Sequence, residues 1–180
     1  MGLGANLGRP ASAIRAAARR LSRDLHDSRL SPLFRTSPVG GPPQPDYVNA
    51  VLVGKTRLGA RALLGRLTEL ERAAGRRPAP RNAPRPLDLD LLLYGARRIA
   101  SRGLRVPHPR LAGRLFVLVP LAALAPRRVV PGTGRTVSRL LREAKAGSAE
   151  RVVRLGTGDR LSGPAAPRRA APRGAASPRG

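Results

Sequence analysis

At 180 residues the chain is long enough for one domain with a real core and too short for two. It has no cysteine, which excludes a disulfide framework and a thiolate metal site, and no run approaches the roughly 18 apolar residues a membrane helix needs. The formal charge of +25 points to a polyanionic partner, but only Lys55 and Lys145 of the 35 basic residues are lysines, and the arginines are spread through Ala-, Gly- and Pro-rich sequence as codon bias in a GC-rich genome would spread them. With only Phe34, Tyr47, Tyr94 and Phe116 as aromatic residues, the stacking platform of a single-strand binder is missing, and no specific nucleic-acid partner is expected. A nucleotide triphosphate uses the same cationic chemistry with fewer arginines. The N-terminus lacks the basic-then-apolar layout of a signal peptide, so a cytoplasmic protein without a membrane partner is expected.

Gly2 to Gly8 is glycine-rich and leads into a helix whose first turn suits Pro10, with Ile14, Ala17, Leu21 and Leu25 inward. Ser31 to Gly40 turns from apolar to turn-like, and Gly41 to Pro45 is a loop. Tyr47 to Thr56 alternates as a strand, with Tyr47, Asn49, Val51 and Val53 on one face and Val48, Ala50 and Leu52 on the other. Ala60 to Ala74 reads as a helix with Leu63, Leu67, Leu70 and Ala74 inward, stopped by Gly75. Arg76 to Pro86 holds four prolines and four arginines in eleven residues, a stiffened basic loop that runs into a second strand, Leu87 to Tyr94. Short strands follow near Ile99, Leu104 to Val106 and Val129-Val130, with helices over Gly113 to Leu124 and Thr136 to Ala144. Without regular βαβ repetition this mixture predicts an α+β sandwich. The domain is placed at 1–155, followed by a Pro/Ala/Arg-rich tail, 156–180, too poor in apolar residues from Ser162 onward to offset the entropy of ordering.

The chemistry concentrates at Leu87 to Leu93. Strand period puts Asp88 and Asp90 on one face and Leu87, Leu89, Leu91 and Leu93 on the other. Two such carboxylates have α-carbons ~6.5–7 Å apart and can lean onto a pair of magnesium ions ~3.5–4 Å apart. Mg²⁺ takes one or two carboxylates and completes its shell with phosphate oxygens and water. A solvated strand face would scatter its charges, whereas these acids sit beside Arg76, Arg77, Arg81 and Arg85, whose guanidinium forks grip phosphate. His108, between prolines, and Arg114 could add phosphate contacts, and Tyr47, Asn49 and Phe116 could receive a flat bicyclic base. Gly2 to Gly8 lacks the G-x-G-x-x-G spacing and no G-x-x-x-x-G-K-[ST] loop exists, which excludes Rossmann and P-loop scaffolds.

Pro84-Arg85-Pro86-Leu87-Asp88-Leu89-Asp90-Leu91-Leu92 resembles the signature of the hydroxymethyl-dihydropterin pyrophosphokinase family of folate synthesis. Gly4 to Gly8, Phe34 to Gly40, Pro45 to Ala50, Glu71 with Gly75-Arg76, and Val106 to Leu111 are similar to family motifs in the same order, and Arg114, Phe116 and Pro120-Leu121 continue the register. The resemblance implies a ferredoxin-like α+β fold that transfers pyrophosphate from ATP to 6-hydroxymethyl-7,8-dihydropterin. It implies that Asp88 and Asp90 ligate two Mg²⁺ ions and act in catalysis with Arg76 and Arg85, and that Glu71, Arg76, Arg81, Arg85, Leu91, His108 and Arg114 bind the nucleotide. Thr36, Ser37, Val39, Gly40, Tyr47, Asn49 and Phe116 match the pterin pocket, and Arg76 to Pro84 the mobile loop over both substrates. The expected partners are small molecules alone, acting on a monomer. The chain departs from the family at Ala5 for a serine, at Asn82 for a tryptophan, and in a loop one residue shorter; only Met1 to Leu3 stand where a full first strand is usual, which implies a start assigned too late. Two alternatives stay open, a basic nucleic-acid-binding protein and a degenerate member that only binds nucleotide.

Overall fold

The computed structural model describes residues 1–38, 42–80, 82–148, 150–156 and 159–161. Among them are strands β1 (Gly2–Ala5), β2 (His26–Leu30), β3 (Phe34–Thr36), β4 (Tyr47–Lys55), β5 (Asp88–Asp90), β6 (Ile99–Ser101), β7 (Leu104–Val106), β8 (Val129–Val130), β9 (Arg135–Thr136), β10 (Val152–Arg154) and β11 (Asp159–Arg160). The helices are α1 (Pro10–Leu21), α2 (Ala60–Ala73), α3 (Leu115–Leu124) and α4 (Val137–Ala146). The main sheet is antiparallel in the order β10-β3-β4-β1-β5; β2 lies along the end of β4 beyond β3, and β11 lies outside β2. β6–β7 and β8–β9 form separate ribbons. This is the expected α+β sandwich, a mostly antiparallel sheet with four helices packed around it in the ferredoxin-like manner.

β4 organises the sandwich because its side chains alternate between two cores. Val48, Ala50 and Leu52 join Leu3 and Ala5 of β1 beneath α1 and α2, where Ile14, Leu21 and Leu67 are fully buried. Val51 points the other way, into a second core with Leu118, Leu121, Val137 and Leu140 from α3 and α4. The apolar run of α3 is accounted for by this position between β4 and α4. β2 and β3 act as one strand broken at Pro32, which has no N–H to give the ladder. Ser31 repairs the break, its N–H bonding Val51 O at 2.8 Å and its hydroxyl accepting from Val51 N at 2.9 Å.

Several expectations are corrected. Gly2–Ala5, expected as a lead into the first helix, is a strand hydrogen-bonded on both sides, to β4 and to β5. The strand expected over Leu87 to Tyr94 stops at Asp90, because its partner is β1, whose ladder ends where Gly2 meets Asp90. Beyond that the alternation breaks, so Leu91 stays in the first core while Leu92 and Leu93 turn to the second. Leu25 is buried after α1 has ended, α3 begins at Leu115 rather than Gly113, and β3 occupies part of the stretch expected to be turn-like. Two of the residues assigned to the tail, 159 and 160, pair with β2, and Leu161 N–H bonds Ser28 O at 3.1 Å. Ser162 to Gly180 lies outside the described residues.

Candidate active site

On the α3 side of the sheet β1, between β4 and β5, contributes no side chain from Gly2 or Gly4. Gly4 lies opposite Asn49 of β4 on one side and Asp88 of β5 on the other; one row along, Gly2 lies opposite Val51 and Asp90. The glycines leave a bare floor between the amide and the carboxylates. A Cβ at Gly4 would stand 2.9 Å from Asn49 Oδ1 and 4.0 Å from Asp88 Cβ. Above this floor opens a cavity of about 580 Å³ whose wall includes Thr36, Ser37, Tyr47, Asn49, Arg76, Arg85, Asp88, Asp90, Arg114 and Phe116.

The helix α2 ends in a turn that aims the first arginine. Gly75, at φ 85°, donates to Arg72 O at 2.9 Å, and Arg76 N–H reaches back to Glu71 O at 3.0 Å. This brings the Arg76 guanidinium onto Glu71 Oε1 and, at 2.7 Å, onto Asp88 Oδ1. Arg85 donates to the same Asp88 oxygen at 3.0 Å. Glu71, buried at 9 % exposure, also takes the Leu89 N–H at 2.7 Å, the amide between the two aspartates. Burial pushes the Glu71 carboxyl above the ordinary glutamate value although the Leu89 amide and Arg76 oppose it. Burial works against the charge on Arg85 as well, but Asp88, with Tyr47 and Glu71, more than offsets it and holds the guanidinium above its usual value. Asp90 faces a second pair, with His108 Nε2 and Arg114 Nη1 each 3.9 Å from Oδ2. His108 Nδ1 accepts from Arg110 N–H at 3.2 Å, so the neutral ring carries its proton on Nε2, toward Asp90. Burial lowers the His108 pKa and favours that neutral ring.

The other half of the cavity is polar and aromatic. Asn49 donates to Thr36 Oγ1 at 2.8 Å, and the Arg114 guanidinium carbon sits 5.2 Å from the centre of the Phe116 ring. Tyr47, its hydroxyl pKa raised chiefly by burial, donates to Gln44 Oε1 at 3.0 Å. Asn6 joins the halves: its Nδ2 donates to Gln44 Oε1 at 2.9 Å and Pro45 O at 3.1 Å, while its Oδ1 accepts from Arg85 N at 2.8 Å. Gln44 Nε2 in turn holds Asn82 O at 2.9 Å, fixing the loop where Asn82 takes a positive φ of 62°.

Of the residues expected in the site, Glu71 lies below the cavity and supports it, and the Leu91 side chain is buried in the first core. His108 is near Asp90 but borders a neighbouring cavity of about 490 Å³, with Ile99 and Arg105. Val39, Gly40 and Arg81 lie outside the described residues. The sequence reading missed Gln44, Arg110 and Glu150 in the wall and assigned no role to Asn6 or Gly4. Glu150 carried one signal, being the only acid between Glu143 and Asp159.

No described group of three or more His, Cys, Asp or Glu side chains could enclose a metal on its own. The donor set suits magnesium nonetheless, for two carboxylates sharing a strand face over a bare floor leave the rest of the shell to substrate oxygens and water. Guanidiniums and carboxylates held this way can grip a polyphosphate with its metal, while the amide, hydroxyl and ring surfaces opposite suit a flat polar heterocycle. That combination defines a transferase acting on a nucleotide polyphosphate beside an aromatic second substrate. The chain belongs to the 7,8-dihydro-6-hydroxymethylpterin-pyrophosphokinase family, whose model matches residues 1–126. It is 40 % identical over 153 residues to the 2-amino-4-hydroxy-6-hydroxymethyldihydropteridine pyrophosphokinase of Pseudomonas aeruginosa, covering 83 % of this chain and 93 % of that protein. It is 38 % identical over 145 residues to the enzyme of that name from Synechocystis sp., covering 79 % and 74 %. A folate synthesis bifunctional protein of Arabidopsis thaliana mitochondria is 45 % identical over 123 residues, 68 % of this chain and 22 % of that one.

Proposed function

We propose that this chain transfers pyrophosphate from ATP to 6-hydroxymethyl-7,8-dihydropterin in folate biosynthesis, giving AMP and the pterin diphosphate, with Asp88 and Asp90 holding two Mg²⁺ ions. The observation that carries the reading is the row Asn49-Gly4-Asp88, with an amide and a carboxylate on either side of one bare glycine, an arrangement that supports a heterocycle beside a metal-bound phosphate. Magnesium bound there would neutralise phosphate charge and hold the chain of phosphates in line for displacement.

The protein's own groups do the rest. Arg76 and Arg85, both on Asp88 Oδ1 in this state, exchange that carboxylate for phosphate oxygens when nucleotide enters. The His108 Nε2–H and Arg114 supply donors beside Asp90, and Leu91 and Glu71 support the nucleotide end from below. Phe116 and Tyr47 offer ring faces to the pterin, while Asn49, Thr36 and Ser37, with Val39 and Gly40, take its polar edge. The pterin hydroxyl then attacks the β-phosphorus, and AMP leaves. The loop from Arg76 to Pro84, which includes Arg81, closes over both substrates and excludes water.

The same reading takes the chain as a monomer acting on small molecules in the cytoplasm, with no specific nucleic-acid partner. Among the described residues no helix is long and apolar enough to cross a membrane. The test is AMP release from MgATP with and without hydroxymethyl-dihydropterin. Pterin-dependent AMP is the expected result; ATP binding without AMP would leave a nucleotide-binding relative, and salt-resistant binding of a specific nucleic acid would favour the basic-protein alternative.

A further inference from the structure

Glu150 is the one acid in the cavity wall that the reaction leaves without a task. It lies beyond the 126 residues matched by the family model, just before β10. β10 returns to the substrate end of the sheet, with Val152 opposite Thr36 and Arg154 opposite Phe34. The start of α3 needs what Glu150 brings, because the first N–H groups of a helix have no partner inside it and Arg114, at the N-cap, provides no side-chain cap. Glu150 Oε1 accepts from Phe116 N at 3.1 Å, and its carboxylate also engages the Leu115 amide. Half-buried, it acts as a cap supplied from 34 residues away.

That helix start carries both halves of the site, the Phe116 ring and Arg114, whose guanidinium lies over the ring and 3.9 Å from Asp90. We propose that Glu150 is a positioning residue for the heterocycle, fixing through the Phe116 and Leu115 amides where the ring stands, so that residues 150–154 belong to the working site. Burial raises the Glu150 pKa although the amides and Arg114 oppose it. The proposal rests on the reading that Phe116 faces the pterin.

The test measures binding of hydroxymethyl-dihydropterin, in the presence of magnesium and a non-hydrolysable ATP analogue, to the full chain and to E150A, E150Q and E150D. E150A should weaken pterin binding by about tenfold and change binding of the analogue alone by less than about twofold, a split that general loosening would not give. E150Q keeps an acceptor at the same reach and should restore pterin binding to within about threefold, whereas E150D, too short for the amides, should bind like E150A. Added to F116A, E150A should weaken pterin binding little further, because both act through one ring. Wild-type pterin affinity in E150A or E150D, or equal loss in E150Q and E150A, would overturn the proposal; failure of the wild-type chain to bind pterin would instead overturn the placement of the pterin on which it rests.

Discussion

Gly4→Ala tests the glycine floor, because one methyl group separates two effects. The new Cβ would lie 2.9 Å from Asn49 Oδ1, closer than a Cβ sits in real contacts, and 4.0 Å from Asp88 Cβ, an ordinary contact. Asn49 is buried and tied to Thr36 at 2.8 Å, so it can yield only by turning its amide out of register. Alanine gains ~0.5–1 kcal/mol over glycine in chain entropy, and overpacking costs ~1–3 kcal/mol, leaving a net destabilisation of about 1 kcal/mol. For a chain of this size that is a fall in Tm of roughly 2–4 °C. If Asn49 binds the pterin as proposed, the displaced amide forfeits a hydrogen bond of about 1 kcal/mol to it, which with steric crowding amounts to roughly a tenfold weaker Kd.

The assay is titration of G4A with hydroxymethyl-dihydropterin and, separately, with an ATP analogue and magnesium. Pterin affinity should fall while nucleotide affinity holds. Gly2→Ala is the control: its nearest neighbour would be the Leu92 side chain at 3.4 Å, an ordinary contact, and both affinities should stay near wild type. Equal pterin affinity in G4A and wild type would refute the argument, as would parallel loss of both ligands, which would mean that the whole floor had moved.

Asp88→Asn and Asp90→Asn should each abolish magnesium-dependent AMP formation while leaving the circular dichroism spectrum unchanged; near-wild-type turnover in either would remove its assignment as a metal ligand. Gly65, exposed in the middle of α2 with no atom within 4 Å of an added Cβ, should accept alanine with a gain of ~0.8 kcal/mol, seen as a Tm higher by roughly 2–3 °C. Glu150 has a folded pKa raised above 4.5, so the folded chain holds a proton there that the unfolded chain releases, and stability declines as pH rises from 4.5 through the raised value. Because Glu150→Gln lacks this titration, its Tm relative to wild type should climb across that window and then level off; a constant difference would contradict the burial argument.

The parts of this protein legible in its sequence are those whose period is local. β4 shows its two faces in nine residues, and Asp88-Leu89-Asp90 needs only strand alternation to put both acids together. His26–Leu30 and Val152–Arg154 carry no such pattern, being short and charged, and become strands because β4 and β3 provide edges for them. Val152 pairs with Thr36 across more than a hundred residues, and nothing local to either records it. The end of β5 was equally hidden, since it depends on where β1 stops. Asn6, Gln44 and Glu150 are single polar residues in loops or at strand ends, and their roles arise from partners 38, 79 and 34 positions away.

The two arginines on Asp88 look equivalent in sequence, yet their other contacts differ. Arg76 also covers Glu71, a buried acid whose Oε1 fixes the amide between the two aspartates, whereas Arg85 reaches the Ala83 carbonyl at 3.3 Å and the neighbourhood of the Tyr47 hydroxyl. Moving Arg76 to a phosphate therefore uncovers a carboxylate that burial already penalises, whereas moving Arg85 uncovers Asp88, whose side chain is 30 % exposed. Arg76→Ala should then act on the fold as well as the reaction, by about 1–3 kcal/mol for a partner removed from a buried acid, or roughly 3–9 °C in Tm. Glu71→Gln in the same chain should recover most of that Tm, because a neutral amide keeps the Leu89 bond without a buried charge. Arg85→Ala should leave Tm within about 2 °C and lower the single-turnover rate with bound ATP by on the order of 10³-fold, the scale of a cation that acts in the transition state. If Arg85→Ala proved the less stable of the two, or Glu71→Gln failed to rescue Arg76→Ala, the division of labour between structure and chemistry would be the reverse of the one drawn from Glu71.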